Sequence, residues 1–303
     1  MRKQKDLRNI SWPWNTFFLC VLLFAALATV APILILISRS FTTVNAMKKI
    51  AFGFIPNEFT LGGYTYLFKL GDQLWLSYLV SFEYAGFGTA LMLLVTSLFA
   101  YVLNQSQRKF RWRKFYTWFM FITMIFSGGL IPSYILITQY LHLNDTFLLL
   151  LISGMFGNAI LLRVFMKTSV PDSLLESARI DGAGHFTIYF FIVMPLMKAG
   201  LATVGLFGFV ARWNDWFTGM LYMTKPSLIP LQTLLYRLQQ TYMNLINNAS
   251  SLSGPDGAEI LRNLPGMTMV LACTVIAVIP ILIVYPFFQR YFVRGMLVGS
   301  LKE

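Results

Sequence analysis

Residues 17–38 read FFLCVLLFAALATVAPILILIS, an apolar run without a single charged side chain. As an α-helix this run would extend about 33 Å, enough to cross a hydrocarbon core of about 30 Å. A basic segment at residues 1–8 precedes it, as in a signal peptide. Because the apolar run is longer than the apolar core of a typical signal peptide, we predict an uncleaved membrane anchor.

The rest of the chain has the same apolar character. Of its 303 residues 57% are hydrophobic and only 12% are charged, and the mean hydropathy is +0.64. Soluble domains carry about 25% charged residues. In lipid an open sheet edge leaves backbone groups unpaired, so the spans must be helical. We therefore predict an all-α integral membrane protein, a single domain over residues 1–303 with about six spans, placed at about 16–38, 80–104, 115–141, 146–166, 198–224 and 267–291.

The net charge of +12 and the pI near 9.8 would suggest a nucleic-acid partner in a soluble protein. The positions of the basic residues along the chain suggest otherwise. If both termini are cytoplasmic, 16 of the Lys and Arg residues fall on that side and 7 on the other, with Arg212 inside a span. Because basic residues favour the cytoplasmic loops of membrane proteins, this split predicts orientation. We expect a multi-pass protein of the cytoplasmic (inner) membrane, with both termini cytoplasmic and no nucleic-acid partner.

Catalytic and metal-binding patterns are missing from the sequence. Cys20 and Cys273 lie in predicted spans, where a thiol usually acts as a small apolar side chain; a disulfide between them is left open. His142 and His185 have no second ligand within helical reach. No nucleophile–base pair or phosphate-binding glycine loop is present. We expect a chain that is not an enzyme and binds no metal or cofactor itself.

One predicted cytoplasmic loop, residues 167–197, differs from the other short basic loops. It reads KTSVPDSLLESARIDGAGHFTIYFFIVMPLM. Ser173 and Glu176, three residues apart, predict a capping box at the start of a helix, and Gly182 is placed to end that helix. We expect one apolar helix face to hold Leu174, Leu175 and Ala178. The loop is therefore predicted to hold a short amphipathic helix between spans 4 and 5.

Four elements of this loop carry a resemblance to a known family. The segment Glu176-Ser177-Ala178, followed by Gly182, Ile192 and Pro195, closely resembles the EAA loop of permease subunits in binding-protein-dependent ATP-binding-cassette importers. Two positions depart from that pattern, since Ser177 replaces an alanine and Met194 a leucine.

Further segments resemble the carbohydrate-uptake branch of this family. They are Asp181-Gly182-Ala183, Trp213-Asn214-Asp215 and the tail QRYFVRG at residues 289–295. The whole chain is similar to the second permease of the maltose type. The ending MLVGSLK at residues 296–302 resembles the polysaccharide subgroup, which includes alginate-oligosaccharide importers.

This resemblance implies a set of partners. It implies a second homologous permease subunit, two ATPase subunits that bind ATP and Mg, and an extracytoplasmic sugar-binding protein. The ATPase subunits would receive the loop helix, and the residues implied as their contacts are Leu175, Glu176, Ser177, Ala178, Arg179, Asp181 and Gly182. The alternative for Glu176 is that it serves only in the capping box.

Substrate-path residues are expected in span 5. Trp213, Asn214 and Trp216 suit sugar binding, because indole rings stack on sugar rings and an amide bonds to hydroxyls. Arg212 and Asp215 lie inside the membrane, where charges tend to face the bundle interior or a cavity. They are three residues apart and are equally explained as a pair on one helix face. Asn158 in span 4 is a further candidate, with packing between helices as its alternative.

The predicted outer loops, residues 39–79 and 225–266, are too long for simple turns. Residues 247–257 read NNASSLSGPDG, a composition that predicts a flexible tip. Similarity to the maltose-type permease implies that this loop docks the sugar-binding protein, through the residues Asn248, Ser251, Gly254 and Asp256. The alternative is a connector that contacts nothing.

The competing class is a secondary transporter or channel without an ATPase partner. Such proteins often place carboxylates near the bilayer midplane for ion coupling. Glu83 and Asp215 are the acids available for that role, and neither lies in a pattern that requires it.

Overall fold

The structure is a computed structural model that describes residues 12–49, 53–105, 110–126, 128–156, 158–251 and 266–300. Within these ranges the backbone is almost entirely helical, with one isolated antiparallel bridge between Thr42 and Phe59. The first helices are α1 (Trp12–Ser40), α2 (Val44–Lys49), α3 (Gly62–Phe68) and α4 (Asp72–Asn104). The next are α5 (Arg113–Ile125), α6 (Leu130–Ile135) with a π-helical continuation (Leu136–Tyr140), α7 (Phe147–Ile152), α8 (Ala159–Ser169) and α9 (Asp172–Ile180).

The last third of the chain is helical as well. It forms α10 (His185–Thr187), a π-helical segment (Ile188–Val193), α11 (Met194–Leu196), α12 (Lys198–Trp213), α13 (Phe217–Tyr222), a 3₁₀ turn (Pro226–Leu228), α14 (Leu231–Ser251) and α15 (Gly266–Ser300).

Within the described ranges, three helices are long and apolar enough to cross a membrane: α1, α4 and the Gly266–Val284 part of α15. Two bent pairs also qualify if each pair counts as one span, namely α5 with the helix Leu130–Tyr140, and His185–Leu196 with α12. The second pair bends by 78°. The six predicted spans, with their boundaries, stay a prediction.

Three of the predicted spans are interrupted. Span 3 breaks between α5 and α6, span 4 between α7 and α8, and span 5 between α12 and α13. In span 4 the helix ends at Ile152, and Gly154 then takes a φ of +64°, which a helix cannot contain. Glycine reaches this left-handed conformation at little cost, so the apolar run continues while the helix does not. Hydropathy predicts how long an apolar segment is, but it does not predict whether the helix within that segment is continuous.

The described residues pack as two compact units, drawn from residues 1–69 with 251–276 and from residues 70–250 with 277–303. In the first unit, the most apolar window of α1 has no buried residue within the chain. The Phe41 ring stacks on Phe59 and on Tyr64, with ring centroids 5.6 Å and 4.8 Å apart. Cys20 is exposed and Cys273 is buried, and both are free thiols, so the disulfide left open is not formed.

The second unit is built around α4, which packs against α7, α8 and α12. Of the groups of buried residues that line it, two are used below. We call the first the Tyr189 cluster; its members are Met92, Ala100, Tyr101, Leu162, Met166, Val170, Leu175, Ala178, Ile188, Tyr189, Val193, Met197 and Val204. We call the second the Tyr222 cluster; its members are Val80, Tyr84, Leu149, Leu150, Tyr222 and Met223. Each group packs a different part of α4.

Candidate functional site

The helix α9 occupies the loop that the sequence singled out. It begins at Asp172, directly after Pro171, whose backbone is extended with φ −64° and ψ 136°. Ser173 is therefore already inside the helix, and no side chain caps its start. The predicted capping box is wrong, because it requires the helix to start at Leu174, and the helix starts two residues earlier, at Asp172. Asp172 instead places a negative charge in the first turn, where the helix dipole favours it.

The end of α9 is as predicted. Gly182 has a φ of +82°. The Ala183 N–H donates to the Ala178 carbonyl at 2.9 Å, and the Gly182 N–H to the Arg179 carbonyl at 3.1 Å. These two bonds form a Schellman motif, which satisfies carbonyls that the helix end would otherwise leave unpaired.

The faces of α9 differ in part from the prediction. Leu175 and Ala178 are buried in the Tyr189 cluster, so their side chains hold the helix against its own chain. They were expected to contact an ATPase, and this is a correction. Leu174 was expected on the same buried face but is exposed, because it lies about 100° away from Leu175 around the helix.

The exposed surface of α9 and its flank combines acids with apolar side chains. Glu176, Ser177 and Asp181 are exposed, as a contact role requires. Ile180 and Phe186 are 86% and 76% exposed, although neither is among the predicted contact residues. The sequence does contain a signal for this exposed apolar surface, namely an isoleucine beside charged residues on a short amphipathic helix. Together with Leu174 these residues form what we call the α9 surface.

Arg179 points toward α4 instead. Its Nη2 donates a hydrogen bond to Gln105 Oε1 at 2.6 Å. Gln105 directly follows α4, so this bond ties α9 to the end of that helix.

The charged group predicted in span 5 lies at the break between α12 and α13. Arg212 is only 5% exposed. Its Nη2 donates to the Ser153 carbonyl at 2.9 Å, and its Nη1 contacts the Gly208 carbonyl and the Met92 sulfur, both at 3.4 Å. The guanidinium therefore connects the broken part of span 5 to that of span 4.

Asp215 is held by other groups. It accepts a hydrogen bond from Tyr84 Oη at 2.7 Å and from the Thr218 backbone N–H at 3.0 Å. The second bond satisfies a backbone donor at the start of α13, as an N-terminal cap does. The bonds of Arg212 and Asp215 thus support a structural role for both at the break.

The aromatic and amide residues predicted for the path separate into buried and exposed groups. Trp213 is 1% exposed, and its Nε1 donates to the Ala277 carbonyl at 3.0 Å. Its predicted role in sugar stacking is corrected, since both faces are covered within the bundle. Asn214 and Trp216 are exposed, and Trp216 stacks on Tyr236 with ring centroids 4.1 Å apart. Asn158 precedes α8, half-buried, and its amide donates to the Met92 sulfur at 3.7 Å.

The predicted docking loop is described only in part. Asn248 and Ser251 belong to α14, so the helix continues into the segment expected to be flexible. Gly254 and Asp256 lie outside the described residues.

A hydrogen-bonded clasp at the turn before α7 is not among the predicted sites. Asp145 accepts hydrogen bonds from the backbone and hydroxyl of Thr224 and from the Lys225 N–H, the last at 2.9 Å. Desolvation raises the pKa of Asp145, but these hydrogen bonds outweigh it and hold the pKa below its ordinary value. The clasp joins residues 79 positions apart in the chain, so no local sequence pattern predicts it.

Comparisons with known proteins agree with the loop motif. Residues 105–298 match the family described as "Binding-protein-dependent transport system inner membrane component". The chain is 36% identical to the polygalacturonan/rhamnogalacturonan transport system permease protein YtcP of Bacillus subtilis (strain 168), over 93% of this chain and 95% of that protein. It is 35% identical to the protein LplC of the same organism, over 95% of each chain.

A solved structure also resembles this one. It is described as a bacterial ABC transporter involved in the import of the acidic polysaccharide alginate; the match has a TM-score of 0.74 and 30% sequence identity and covers 94% of this chain and 99% of that chain. The predicted all-α membrane fold is confirmed, as is the resemblance that the loop carried. The chain belongs to the family of inner-membrane components of binding-protein-dependent transport systems.

Proposed function

We propose that this chain is a permease subunit of an ATP-binding-cassette importer for oligosaccharides from acidic polysaccharides. Two similar proteins support this substrate class. One is named for polygalacturonan and rhamnogalacturonan transport, and the other belongs to an importer of alginate. Both polygalacturonan and alginate are polymers of uronic acids, so anionic sugar rings are their common chemistry. A second permease subunit would complete the translocation path.

The observation that carries the proposal is the α9 surface. A short helix between two membrane-directed segments exposes acids beside the apolar Ile180 and Phe186. An apolar centre with a polar rim is the usual composition of a protein interface. We assign this surface to a cleft of an ATPase subunit, which holds ATP and Mg. Leu175 and Ala178 anchor the helix, and Arg179 and Gly182 fix its end.

The sugar path is proposed to run past the exposed residues of the span 5 break. Asn214 and Trp216 offer an amide and an indole. We do not propose Arg212 as a direct contact of the sugar, because it is buried and bonded to Ser153. The loop after α14, with Asn248 and Ser251 at the helix end, is proposed to dock the sugar-binding protein.

Charge reversal at Glu176 tests the proposal. The importer complex is reconstituted in proteoliposomes, and ATP hydrolysis is measured with the sugar-binding protein loaded with oligogalacturonate or with a neutral maltooligosaccharide. We expect stimulation by the acidic sugar in the parent and about a tenfold loss of it in Glu176→Lys, because reversing a charge at a complementary interface brings like charges together and costs affinity. Asp72→Lys, an exposed acid at the start of α4, is the matched control and should keep full stimulation.

If the loaded sugar-binding protein stimulates ATP hydrolysis normally in Glu176→Lys, the proposed coupling role of α9 is wrong. Equal stimulation by the neutral sugar would remove the acidic substrate class. Failure of the chain to co-purify with any ATPase subunit would favour a secondary transporter or channel.

A further inference from the structure

The side of α4 that faces α9 carries three polar residues spaced four apart: Ser97, Tyr101 and Gln105. Residues four apart lie on one side of a helix, so the three form a stripe along the last turns of α4 and the residue after it. Polar side chains are costly between packed helices unless each finds a partner. Each of these three has one.

The three partners come from α9 itself and from the segment that follows it. We call the set of three bonds the polar ladder; it joins Gln105 Oε1 to Arg179 Nη2 (2.6 Å), Tyr101 Oη to His185 Nδ1 (3.1 Å) and Ser97 Oγ to Tyr189 Oη (2.6 Å). His185 and Tyr189 are also four residues apart. Two of the three bonds therefore join successive helical turns of α4 to successive helical turns of the segment after α9. The polar ladder therefore holds the two segments together over more than one helical turn, and not at a single residue.

Apolar packing reinforces the ladder. The rings of Tyr101 and Tyr189 have centroids 5.6 Å apart, and both belong to the Tyr189 cluster. Leu175 and Ala178 of α9 belong to the same cluster. Because α9 and the segment after it are packed and bonded to α4, a displacement of α9 must displace this end of α4 or break the ladder.

The same helix reaches the break in span 5. Tyr84 on α4 bonds to Asp215 at 2.7 Å, and Met92 contacts Arg212 at 3.4 Å. Seventeen residues separate Tyr84 from Tyr101, and at 1.5 Å per residue an α-helix covers that interval in about 25 Å. No interruption occurs between Asp72 and Asn104, so α4 is a continuous rod between α9 and the proposed sugar path.

We propose that α4 transmits the movement of α9 to the break in span 5, and that the polar ladder is the connection at its α9 end. The inference rests on the proposed coupling role of α9 and goes beyond it by naming the element that carries the movement. Ser97, Tyr101 and Gln105, with their partners, are positioning residues: they act through α4 and touch neither sugar nor nucleotide.

Cysteine labelling at the break tests this without knowledge of the sugar. In a chain with Cys20→Ser and Cys273→Ala, Phe217→Cys places one thiol at a 44% exposed position beside the break. A maleimide labels the assembled importer with and without ATP, Mg and vanadate. We expect the nucleotide to change the labelling rate of this parent by about tenfold, a typical size for coupling between two sites. In the triple variant Tyr101→Phe, Gln105→Ala, Tyr189→Phe, the change should fall below about twofold, while ATP hydrolysis continues.

The matched control is Tyr64→Phe, which removes another Tyr–Ser hydroxyl bond, to Ser40 at 2.8 Å, from the first unit. It should keep the full nucleotide response. Gln105→Glu retains an acceptor for Arg179 and should keep it as well. If the triple variant fails to assemble, Tyr189→Phe alone is compared with Tyr64→Phe, and a smaller response supports the ladder.

Two results would overturn the inference: a full response in the ladder variants, or no response in the parent. A different result separates it from the proposed function. If Glu176→Lys still responds to nucleotide, the coupling role of α9 itself fails, whatever the ladder variants do.

Discussion

At the scale of single residues, the burial of Arg212 depends on small neighbours. A Cβ atom on Gly88 of α4 would lie 2.7 Å from Arg212 Nε, and one on Gly208 would lie 2.5 Å from the Met92 methyl. The absence of these two side chains leaves room for the guanidinium between α4 and α12. The sequence indicated that Arg212 was inside the membrane, but the space for it comes from a glycine 124 residues earlier in the chain.

Replacement of Gly88 by alanine should therefore destabilise the subunit. The new methyl group would displace the Arg212 side chain from Ser153, and overpacking of this kind costs about 2 kcal/mol. Thermal unfolding of the purified subunit in detergent measures the effect.

Gly86→Ala is the control on the same helix, since a Cβ there meets nothing within 4 Å. Alanine is a better helix former than glycine, so this variant should be neutral or more stable by about 0.5 kcal/mol. Equal unfolding temperatures for the two variants would show that Arg212 can relax without cost.

At the scale of elements, α9 illustrates which local features a sequence predicts. Its C-terminal end followed from Gly182, because a left-handed cap is a property of one residue and its neighbours. Its start did not follow from Ser173 and Glu176. Pro171 has an extended backbone, and the helix begins directly after that proline. The first helical residues therefore include Ser173, which leaves it no place as the cap.

Gly182→Ala should loosen the end of α9. A non-glycine residue in the left-handed conformation costs about 1 kcal/mol, which corresponds to roughly a fivefold rise in opening of the last turn. Hydrogen exchange of residues 178–183 in the assembled importer measures this. Gly184→Ala is the control, since its φ of −71° suits any residue and its Cβ would meet nothing within 4 Å. Faster exchange in both variants would point to a general loss of packing and not to the cap.

At the scale of the whole molecule, the distribution of basic residues predicts the orientation. The split of 16 against 7 is a property of the entire chain and needs no knowledge of how the helices pack. The breaks within spans 3, 4 and 5 do not change it, provided that each bent pair crosses the membrane once.

Reporter fusions test this orientation. Alkaline phosphatase should be inactive when fused after residue 303 and active when fused after residue 228, because it folds only outside the cytoplasm. Green fluorescent protein at the same two sites should give the opposite pattern. An active phosphatase at the C-terminus would place that end outside and contradict the predicted topology.

The sequence by itself determined the membrane class, the helical fold and the family, and it predicts the orientation, because composition, charge distribution and the loop around Glu176 are read along the chain. Only the tertiary structure decided which predicted site residues are accessible. Leu175, Ala178 and Trp213 are buried, while Ile180 and Phe186 are exposed. The physical reason is that burial and hydrogen bonding depend on neighbours far away in sequence, as in the polar ladder, where α4 meets a segment more than 70 residues later.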